Sequence, residues 1–195
     1  MKTLIKNGLL IDPANQVQAY LNLILEDGKV VAVTEEEPEA DRVIDATGKV
    51  VAPGFIDIHM HEDPVKDGKI EFCIFDAMLR MGVTTAVGGN CGINVYDPVK
   101  YLDMVEKDGA PVNVMLFAGH QYFREAAGAL DKYAPVTKEQ QEHMKKGLEK
   151  ALEAGCVGIS YGLRYVPGTG REEFLDTASC CEKEHRLISA HVRDD

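Results

Sequence analysis

From Pro53 onward the sequence alternates short apolar segments with helix-length amphipathic segments, and this alternation limits the folds open to the chain. Five segments predict strands: GFIDIHMH, GVTTAVGG, VNVMLFAGH, CVGISYG and LISAHVR. Helices are predicted between them, at residues 70–80, 98–106, 138–154 and 172–184, with Thr137 as the N-cap of the third. Strands and helices that alternate in this way build a parallel sheet from β-α units.

The first fifty residues have a different pattern, which predicts a small antiparallel sheet module. Apolar runs lie on both sides of Asp27-Gly28, a dipeptide that favours a two-residue hairpin turn. A similar pattern surrounds Thr47-Gly48. We therefore divide the chain into residues 1–51, the sheet module, and residues 52–195, the β-α region.

Reactive residues at the predicted strand ends favour a barrel over an open sheet. Barrel enzymes assemble their sites at the carboxyl ends of several strands. An open nucleotide-binding sheet would carry a glycine-rich phosphate loop, but neither G-x-G-x-x-G nor G-x-x-x-x-G-K-[ST] occurs here. The reactive residues follow all five predicted strands: His59 and His61, Asn90 and Cys91, Gly119 and His120, Tyr161, and residues 191–195.

The predicted fold class is therefore α/β, a (β/α)8 TIM-type barrel preceded by the small sheet module. Residues 52–195 are fewer than the roughly 200 to 250 residues that a complete barrel uses. We accordingly expect about five β-α units here, and we expect this chain to be the N-terminal part of a longer protein.

The composition excludes two classes of partner. The formal net charge is -11, whereas binding to nucleic acid or to an anionic membrane requires clustered Lys and Arg. The sequence contains no secretory signal and no membrane-length apolar run, so we expect a cytoplasmic protein. The five cysteines form no C-x-x-C pair, which favours reduced thiols over a disulfide framework. An oligomer is compatible with these observations.

His59 and His61 are the first candidate metal ligands. Residues two apart on a strand point to the same face, so the two imidazoles would face one way and Met60 the other. Two neutral imidazoles held in this way can chelate zinc or a similar divalent ion. An H-x-H pair can also be two partly buried histidines bonded to backbone carbonyls, but its place at a barrel strand end favours the metal.

Cys91 and His191 are the second pair of candidate ligands. Cys91 follows the second predicted strand in the glycine-flanked segment VGGNCGINV, where a metal could keep the thiolate deprotonated. A small buried side chain is the commoner role of a free cysteine, and we assign that role to Cys73, Cys156, Cys180 and Cys181. His191 ends the fifth predicted strand, so the barrel fold would bring it to the same edge as Cys91.

Two further observations concern the third and fourth strands. His120 ends the third predicted strand, and we expect it to support the site or to contact substrate, with a structural role as the alternative. Residues 156–170 contain no lysine, so the carbamylated lysine that bridges two metals in many barrel hydrolases is absent from this strand. Cys91 is the remaining soft candidate for a bridging group.

These motifs resemble the amidohydrolase superfamily, and within it the N-acyl-D-amino-acid deacylases, or D-aminoacylases. The resemblance runs over nearly the whole chain and is carried by the motifs VVAPGFIDIHMHED, GVTTAVGGNCGIN, GISYGLRYVPG and AHVRDD. The first motif is typical of the superfamily, whereas the cysteine segment combined with GLRYVPG and HVRDD is more specific. Glu62 stands where relatives often have aspartate, and Ile58 and Met60 are bulkier than the usual residues.

The resemblance implies a β-sandwich whose first strands lie in residues 1–51. It also implies a tightly bound zinc held by Cys91, His191 and a histidine beyond residue 195, with a weaker or absent second ion near His59 and His61. Tyr165, in the GLxYxPG motif, would help to hold substrate. The catalytic aspartate of the family comes from the last barrel strand, so it is expected beyond residue 195.

The expected reaction is metal-assisted hydrolysis of an N-acyl-D-amino acid to a carboxylate and a free D-amino acid. Two alternatives stay open at this point. One is a cyclic-amide hydrolase of the dihydroorotase or hydantoinase type, against which the absent lysine counts. The other is a non-catalytic protein or an inactive fragment, and we expect residues 1–195 alone to show no appreciable turnover.

Overall fold

The computed structural model describes residues 1–183 and 185–193, and the chain divides into two compact units, Met1–Gly54 and Phe55–Asp195. This division lies near the predicted boundary after residue 51. Among the described residues, none of the helices combines the length and the apolar character needed to cross a membrane.

The first unit contains seven strands in two sheets, of order β5-β4-β1-β6 and β3-β2-β7. The strands are β1 (Lys2–Lys6), β2 (Leu9–Asp12), β3 (Val17–Tyr20), β4 (Asn22–Glu26), β5 (Lys29–Thr34), β6 (Arg42–Asp45) and β7 (Val50–Val51). Leu10, Leu23 and Val51 contribute to an apolar cleft that residues of both sheets line.

One of the two predicted hairpins is present in this unit. β4 and β5 pair antiparallel across Asp27 and Gly28, which both have positive φ (48° and 76°), as a tight two-residue turn requires. The pattern around Thr47-Gly48 does not form a hairpin, because β6 pairs parallel with β1 whereas β7 pairs parallel with β2. The prediction of a purely antiparallel module was therefore wrong: the two flanking strands belong to different sheets.

In its described residues, the second unit contains a parallel sheet of five strands, a short two-stranded sheet and several helices. Its strands are β8 (Phe55–Asp57), β9 (Val65–Lys66), β10 (Lys69–Ile70), β11 (Val83–Gly88), β12 (Asn113–Gly119), β13 (Gly158–Gly162) and β14 (Leu187–His191). Its helices are α1 (Ile74–Arg80), α2 (Pro98–Asp108), α3 (His120–Ala126), α4 (Lys138–Glu153) and α5 (Arg171–Ala178). The parallel sheet has the order β8-β11-β12-β13-β14, which confirms the prediction of part of a TIM-type barrel.

The sheet and its helices enclose one apolar core. Phe75 of α1, Leu116 of β12, Leu148 of α4 and Ile159 of β13 are all inaccessible to solvent. Thr137 caps α4 as predicted, because its side chain accepts a hydrogen bond from the amide of Gln140, whose own side chain bonds back. The strands whose carboxyl ends carry the candidate ligands are therefore packed into this core.

Some elements differ from the prediction. The short hairpin β9-β10 and the helix α3 were not predicted, and α3 begins at His120, which we had placed at the end of a strand. The last predicted helix, 172–184, is the shorter α5 followed by a 3-10 turn at Ser179–Cys181. Residue 184 lies outside the described residues, as do residues 194 and 195.

Candidate metal centre

Four predicted metal ligands meet at the carboxyl edge of the parallel sheet. The Sγ atom of Cys91 lies 3.4 Å from Nε2 of His59 and 3.7 Å from Nδ1 of His191. The ligand atoms of His59, His61 and Cys91 all lie within 4.8 Å of one another. In the part of the chain that the structure describes, no other group of three His, Cys, Asp or Glu side chains is as compact.

The spacing of these donors fits a zinc ion. Zinc bonds thiolate sulfur at about 2.3 Å and imidazole nitrogen at about 2.0 to 2.1 Å, so tetrahedral coordination separates the two donors by about 3.5 Å. The measured separations from Cys91 to His59 and His191 lie on either side of this value. One thiolate with several imidazoles is also a donor set that zinc prefers.

His59 and His61 lie just beyond their strand, since β8 ends at Asp57. Their alternation still holds, because both imidazoles are exposed while Met60 is buried. The Asp57 carboxylate accepts a hydrogen bond from the amide of His59, and the amide of Met60 donates to the carbonyl of Val87 on β11. These bonds hold the H-x-H segment against the next strand without regular strand pairing.

The loop that carries Cys91 requires an unusual backbone. Cys91 itself has a φ of 58°, in the left-handed region that costs energy for a residue with a side chain. The glycines at 89 and 92 also have positive φ, and a Cβ atom at Gly89 would lie 2.1 Å from the carbonyl oxygen of Phe117. Only glycine fits there, so the glycine-flanked motif brings the loop close to β12.

Two buried side chains fix this loop from either side. The Ser160 hydroxyl on β13 accepts a hydrogen bond from the amide of Gly92 at 3.0 Å and donates to the carbonyl of Gly89. The Asn90 side-chain amide donates to the carbonyls of Val87 at 2.8 Å and Ile58 at 3.2 Å. Ser160 therefore bridges the residues on both sides of Cys91 and Asn90, and it replaces hydrogen bonds that regular structure would supply.

Replacing Ser160 by alanine is expected to weaken zinc binding about 10- to 100-fold, because an outer partner that orients a ligand typically contributes this much. The loop around Cys91 would lose both bridging hydrogen bonds and sample other backbone conformations. Zinc affinity can be measured by competition with a chromophoric chelator. Ser179→Ala is the matched control, since the exposed Ser179 hydroxyl donates to the carbonyl of Asp176, away from the cysteine loop. Equal affinities for the two variants would contradict this role.

Burial shapes the ionisation of the groups near the cluster. It raises the pKa of the Cys91 thiol, so the free thiol is protonated at neutral pH and a bound cation would be needed to keep it as thiolate. Burial likewise raises the pKa of the Glu62 carboxyl, although the side-chain amide of Asn94 donates to it at 2.8 Å. Asn94 also bonds the carbonyl of Phe117 and the amide of Gly119, so it joins the cysteine loop to β12.

Asp63 anchors the other end of the H-x-H segment. Its carboxylate accepts hydrogen bonds from the amides of Cys73, Ile74 and Phe75 at the start of α1. Burial alone would raise its pKa, but the bonds from the Cys73 thiol and these amides outweigh burial and lower the pKa below its ordinary value. The carboxylate thus caps the start of α1 and ties the chain two residues after His61 to that helix.

Asp63→Asn is expected to lower the free energy of unfolding by about 1 to 2 kcal/mol at pH 7, because the charged cap is lost. An acid with a lowered folded pKa stabilises the fold above its unfolded pKa, and this stabilisation disappears as pH falls through the folded pKa. The difference between the two proteins should therefore shrink below about pH 4. Urea unfolding at several pH values measures it, and a difference that is independent of pH would argue against the charged cap.

Tyr165 and His120 were the predicted substrate contacts, and the structure places them differently. The Tyr165 ring is 40% exposed and meets the His191 ring edge-on, with centroids 4.8 Å apart, so it borders the cluster. His120 is completely buried, and its Nε2 atom donates to Glu173 at 2.9 Å. Direct contact of His120 with substrate has no support in this geometry. The metal-binding roles of His59, His61, Cys91 and His191 stay predictions.

Several residues around the site were missed by sequence reasoning. Ser160 lies in an apolar strand, where a single hydroxyl is an ordinary substitution, and Asn94 ends the motif GVTTAVGGNCGIN, of which only Cys91 and Asn90 were considered. Glu173 lies in a segment that was predicted to be helical, where charged residues normally face solvent, and Arg124 lies in a helix that was not predicted. The available signal for Ser160 was its place on the strand where other barrel hydrolases carry a lysine.

A parallel barrel-type sheet with a thiol and imidazoles converging at its carboxyl edge defines a class, the metal-dependent barrel enzymes. The sequence profile of the family described as "Amidohydrolase family" matches residues 42–164. The chain belongs to the amidohydrolase family, which confirms the family resemblance predicted from its motifs.

Within the amidohydrolase family, the chain is similar to several deacylases. N-acyl-D-glutamate deacylase of Alcaligenes xylosoxydans xylosoxydans is 30% identical, over 98% of this chain and 43% of the relative. The crystal structure of N-acyl-D-glutamate deacylase from Bordetella bronchiseptica, complexed with zinc and a phosphonate inhibitor, matches with a TM-score of 0.85 and 30% identity. That match covers 98% of this chain and 45% of the solved one. D-aminoacylases match as well, both by sequence and by structure. One of the solved structures comes from a study of the binuclear metal centre of that enzyme.

A second group of relatives covers less of the chain. A dihydroorotase of Elusimicrobium minutum is 42% identical over 88 residues, which are 44% of this chain and 20% of that protein. The chain spans less than half the length of the deacylases that it matches. These relatives support a hydrolase and the use of a metal.

Proposed function

We propose that the protein hydrolyses the amide bond of N-acyl-D-amino acids with the help of zinc. The observation that carries this proposal is the position of the Cys91 thiol between the imidazoles of His59 and His191 at the carboxyl edge of the sheet. A cysteine in this place, with no lysine on β13, fits the motif resemblance to the N-acyl-D-amino-acid deacylases, and deacylases are among the relatives.

Each residue of the cluster has a proposed role. Cys91 and His191 hold the tightly bound ion, and His59 and His61 border a second, weaker position or complete the first. Zinc bound here would lower the pKa of a water molecule toward roughly 7 and polarise the scissile carbonyl. Tyr165 places its phenol beside His191, where its hydroxyl can donate a hydrogen bond to an anionic or carbonyl oxygen of the substrate.

The reaction also needs a general base that takes a proton from the attacking water, and none of the four candidate ligands or Tyr165 is assigned this role. Glu62 is bonded to Asn94 and has a raised pKa, while the Asp63 carboxylate is occupied by the amides of α1. Neither acid is placed to take a proton from a water molecule beside Cys91. A general base supplied by residues other than these two is therefore part of the proposal.

Cyclic-amide hydrolysis is the second candidate, since part of the chain is 42% identical to a dihydroorotase. Two observations favour deacylation over it. The strand β13 reads GISYG and offers no lysine, and its Ser160 hydroxyl is already used to hold the cysteine loop. Among the sequence matches, a deacylase covers 98% of the chain whereas two dihydroorotases cover 44% and 82%, which points the same way.

A substrate panel tests the proposal on the intact protein, expressed from its complete reading frame and loaded with zinc. The panel contains N-acetyl-D-glutamate, N-acetyl-D-methionine, their L-enantiomers, dihydroorotate and hydantoin. We expect release of free D-amino acid and acetate, with the L-enantiomers turned over far more slowly. Hydrolysis of dihydroorotate or hydantoin without deacylation would establish the second candidate, and no hydrolysis of any of the six would contradict both.

A further inference from the structure

A buried group of three ionisable side chains lies beside the metal centre without belonging to it. The side chains of His120, Arg124 and Glu173 are 1%, 2% and 4% exposed. Both Nε2 of His120 and Nε of Arg124 donate to the same Glu173 oxygen, each at 2.9 Å. His120 and Arg124 are one helical turn apart on α3, so they present both donors from one face.

The outer nitrogens of Arg124 hold a neighbouring loop, which we call the 127–137 loop. They donate to the carbonyl of Asp131 at 3.1 Å and to the carbonyl of Ala134 at 2.5 Å. The flat guanidinium has donors in three directions, so it can bind one carboxylate and two carbonyls at once. A single buried side chain thus fixes two points of a loop that has no regular structure of its own.

The 127–137 loop in turn contacts residues 163–170, which we call the Tyr165 loop. The amide of Gly168 donates to the carbonyl of Lys132 at 2.8 Å, between the two carbonyls that Arg124 holds. A Cβ atom at Gly168 would lie 2.5 Å from the carbonyl oxygen of Ala134, so the two backbones pack directly. A displacement of the first loop would therefore break this hydrogen bond or press on the backbone at Gly168.

Glu173 secures the far end of the Tyr165 loop. It lies in the first turn of α5, immediately after that loop, and its carboxylate is the centre of the buried group. At the near end, the amides of Tyr165 and Val166 both donate to the carbonyl of Gly162 on β13. The loop is therefore held at both ends and in the middle, with the Tyr165 ring against His191.

We propose that Arg124, Glu173 and His120 are positioning residues, which hold the Tyr165 loop so that the Tyr165 phenol stays beside His191 ready to bind substrate. This proposal rests on the proposed deacylation, and it gives His120 a role without substrate contact. A loop fixed before binding spares the substrate the entropic cost of ordering it. Loosening the loop should therefore weaken substrate binding more than it slows the chemical step.

Arg124→Lys in the intact protein is the main test, because lysine keeps the charge but cannot reach the carboxylate and two carbonyls together. We expect KM for the N-acetyl-D-amino acid to rise about tenfold or more with a smaller fall in kcat. Tyr165→Phe should give a similar rise, and the double variant should add little to either. Zinc content should be unchanged, and amide hydrogen exchange should quicken within residues 163–170.

Lys145→Met is the matched control. This substitution breaks a partly exposed salt bridge, in which Nζ of Lys145 on α4 lies 2.7 Å from a carboxylate oxygen of Asp176. Asp176 lies on α5, as Glu173 does, and the salt bridge involves neither loop. Exchange in the Tyr165 loop and KM should match those of the unaltered protein. A folded Arg124→Lys protein with the same exchange and KM as this control would overturn the proposal.

The hydrogen-exchange measurement separates this inference from the proposed function. If the unaltered protein deacylates nothing, the function fails, yet quickened exchange in residues 163–170 of Arg124→Lys still supports the buried anchor. If deacylation occurs but exchange and KM do not respond to Arg124→Lys, the anchor alone fails. Glu173→Asp, which shortens the central carboxylate by one methylene, provides the same readouts if Arg124→Lys does not fold.

Discussion

Replacing Cys91 by alanine is expected to abolish tight zinc binding and, with it, deacylation. The Cys91 sulfur lies within 3.7 Å of a ring nitrogen of both His59 and His191. Its loss therefore removes the ligand atom that is next to both histidines. The loss should exceed the roughly 10- to 100-fold that removal of an outer partner costs. Zinc per chain, measured by atomic emission after dialysis, and turnover of N-acetyl-D-amino acids are the two readouts.

The chain offers controls for each part of this expectation. Cys73→Ser removes a thiol that is exposed and whose partner is Asp63, so zinc content and turnover should not change. Within the cluster, His191→Ala should lower zinc content more than His61→Ala, because His191 is in contact with the thiol and the tightly bound ion is assigned to it. Full zinc and full activity in Cys91→Ala would refute the assignment of Cys91 as ligand and bridging group.

The β-α alternation was sufficient to predict the parallel sheet. Strands that are buried on both faces read as continuous apolar runs in the sequence. The amphipathic pattern of α4 indicates which face of that helix is buried, and Leu148 and Leu152 on this face lie in the core. Element ends were less predictable, because they depend on tertiary hydrogen bonds. β8 ends at Asp57, and the H-x-H pair is held instead by the Asp57 carboxylate and the carbonyl of Val87.

Strand pairing in the first unit could not be predicted from local pattern. Apolar runs around Thr47-Gly48 satisfy the requirements of a hairpin, but β6 and β7 gain their hydrogen bonds from β1 and β2, about forty residues earlier in the sequence. Local preference is weak relative to pairing with strands that are already part of a sheet. The Asp27-Gly28 turn was predictable because only two residues join its strands and both adopt the positive φ that such a turn requires.

The candidate ligands were predictable, whereas the residues that hold them were not. Chemistry restricts zinc ligands to few residue types, and four of these stood at strand ends. The partners of Ser160 and Arg124 are backbone atoms and a carboxylate far away in sequence, such as Glu173, 49 residues from Arg124. The hydrophobic periodicity of the sequence does not indicate such pairs, because any serine or arginine side chain can form a hydrogen bond with a carbonyl.

Replacing Arg124 by methionine is expected to lower the free energy of unfolding by about 3 to 5 kcal/mol, since it leaves the Glu173 carboxylate buried without its permanent countercharge. Burial alone would raise the pKa of Glu173, but the hydrogen bonds and charges of His120 and Arg124 outweigh it and lower the pKa. A lowered pKa gives stability above the unfolded pKa of about 4.3, and that stability is lost as pH falls. The deficit of the variant should therefore shrink below about pH 4 in urea unfolding.

The double variant Arg124→Met, Glu173→Met separates stability from positioning. Replacing a whole buried ion pair by apolar residues of similar volume is often neutral, so most of the lost stability should return, and its dependence on acid should disappear. The carbonyls of Asp131 and Ala134 would still lack their donors, because methionine has none. Exchange in residues 163–170 should stay fast in a protein that is again stable. Slow exchange in this double variant would mean that the Tyr165 loop is ordered by core packing alone, and that Arg124 contributes charge balance without positioning.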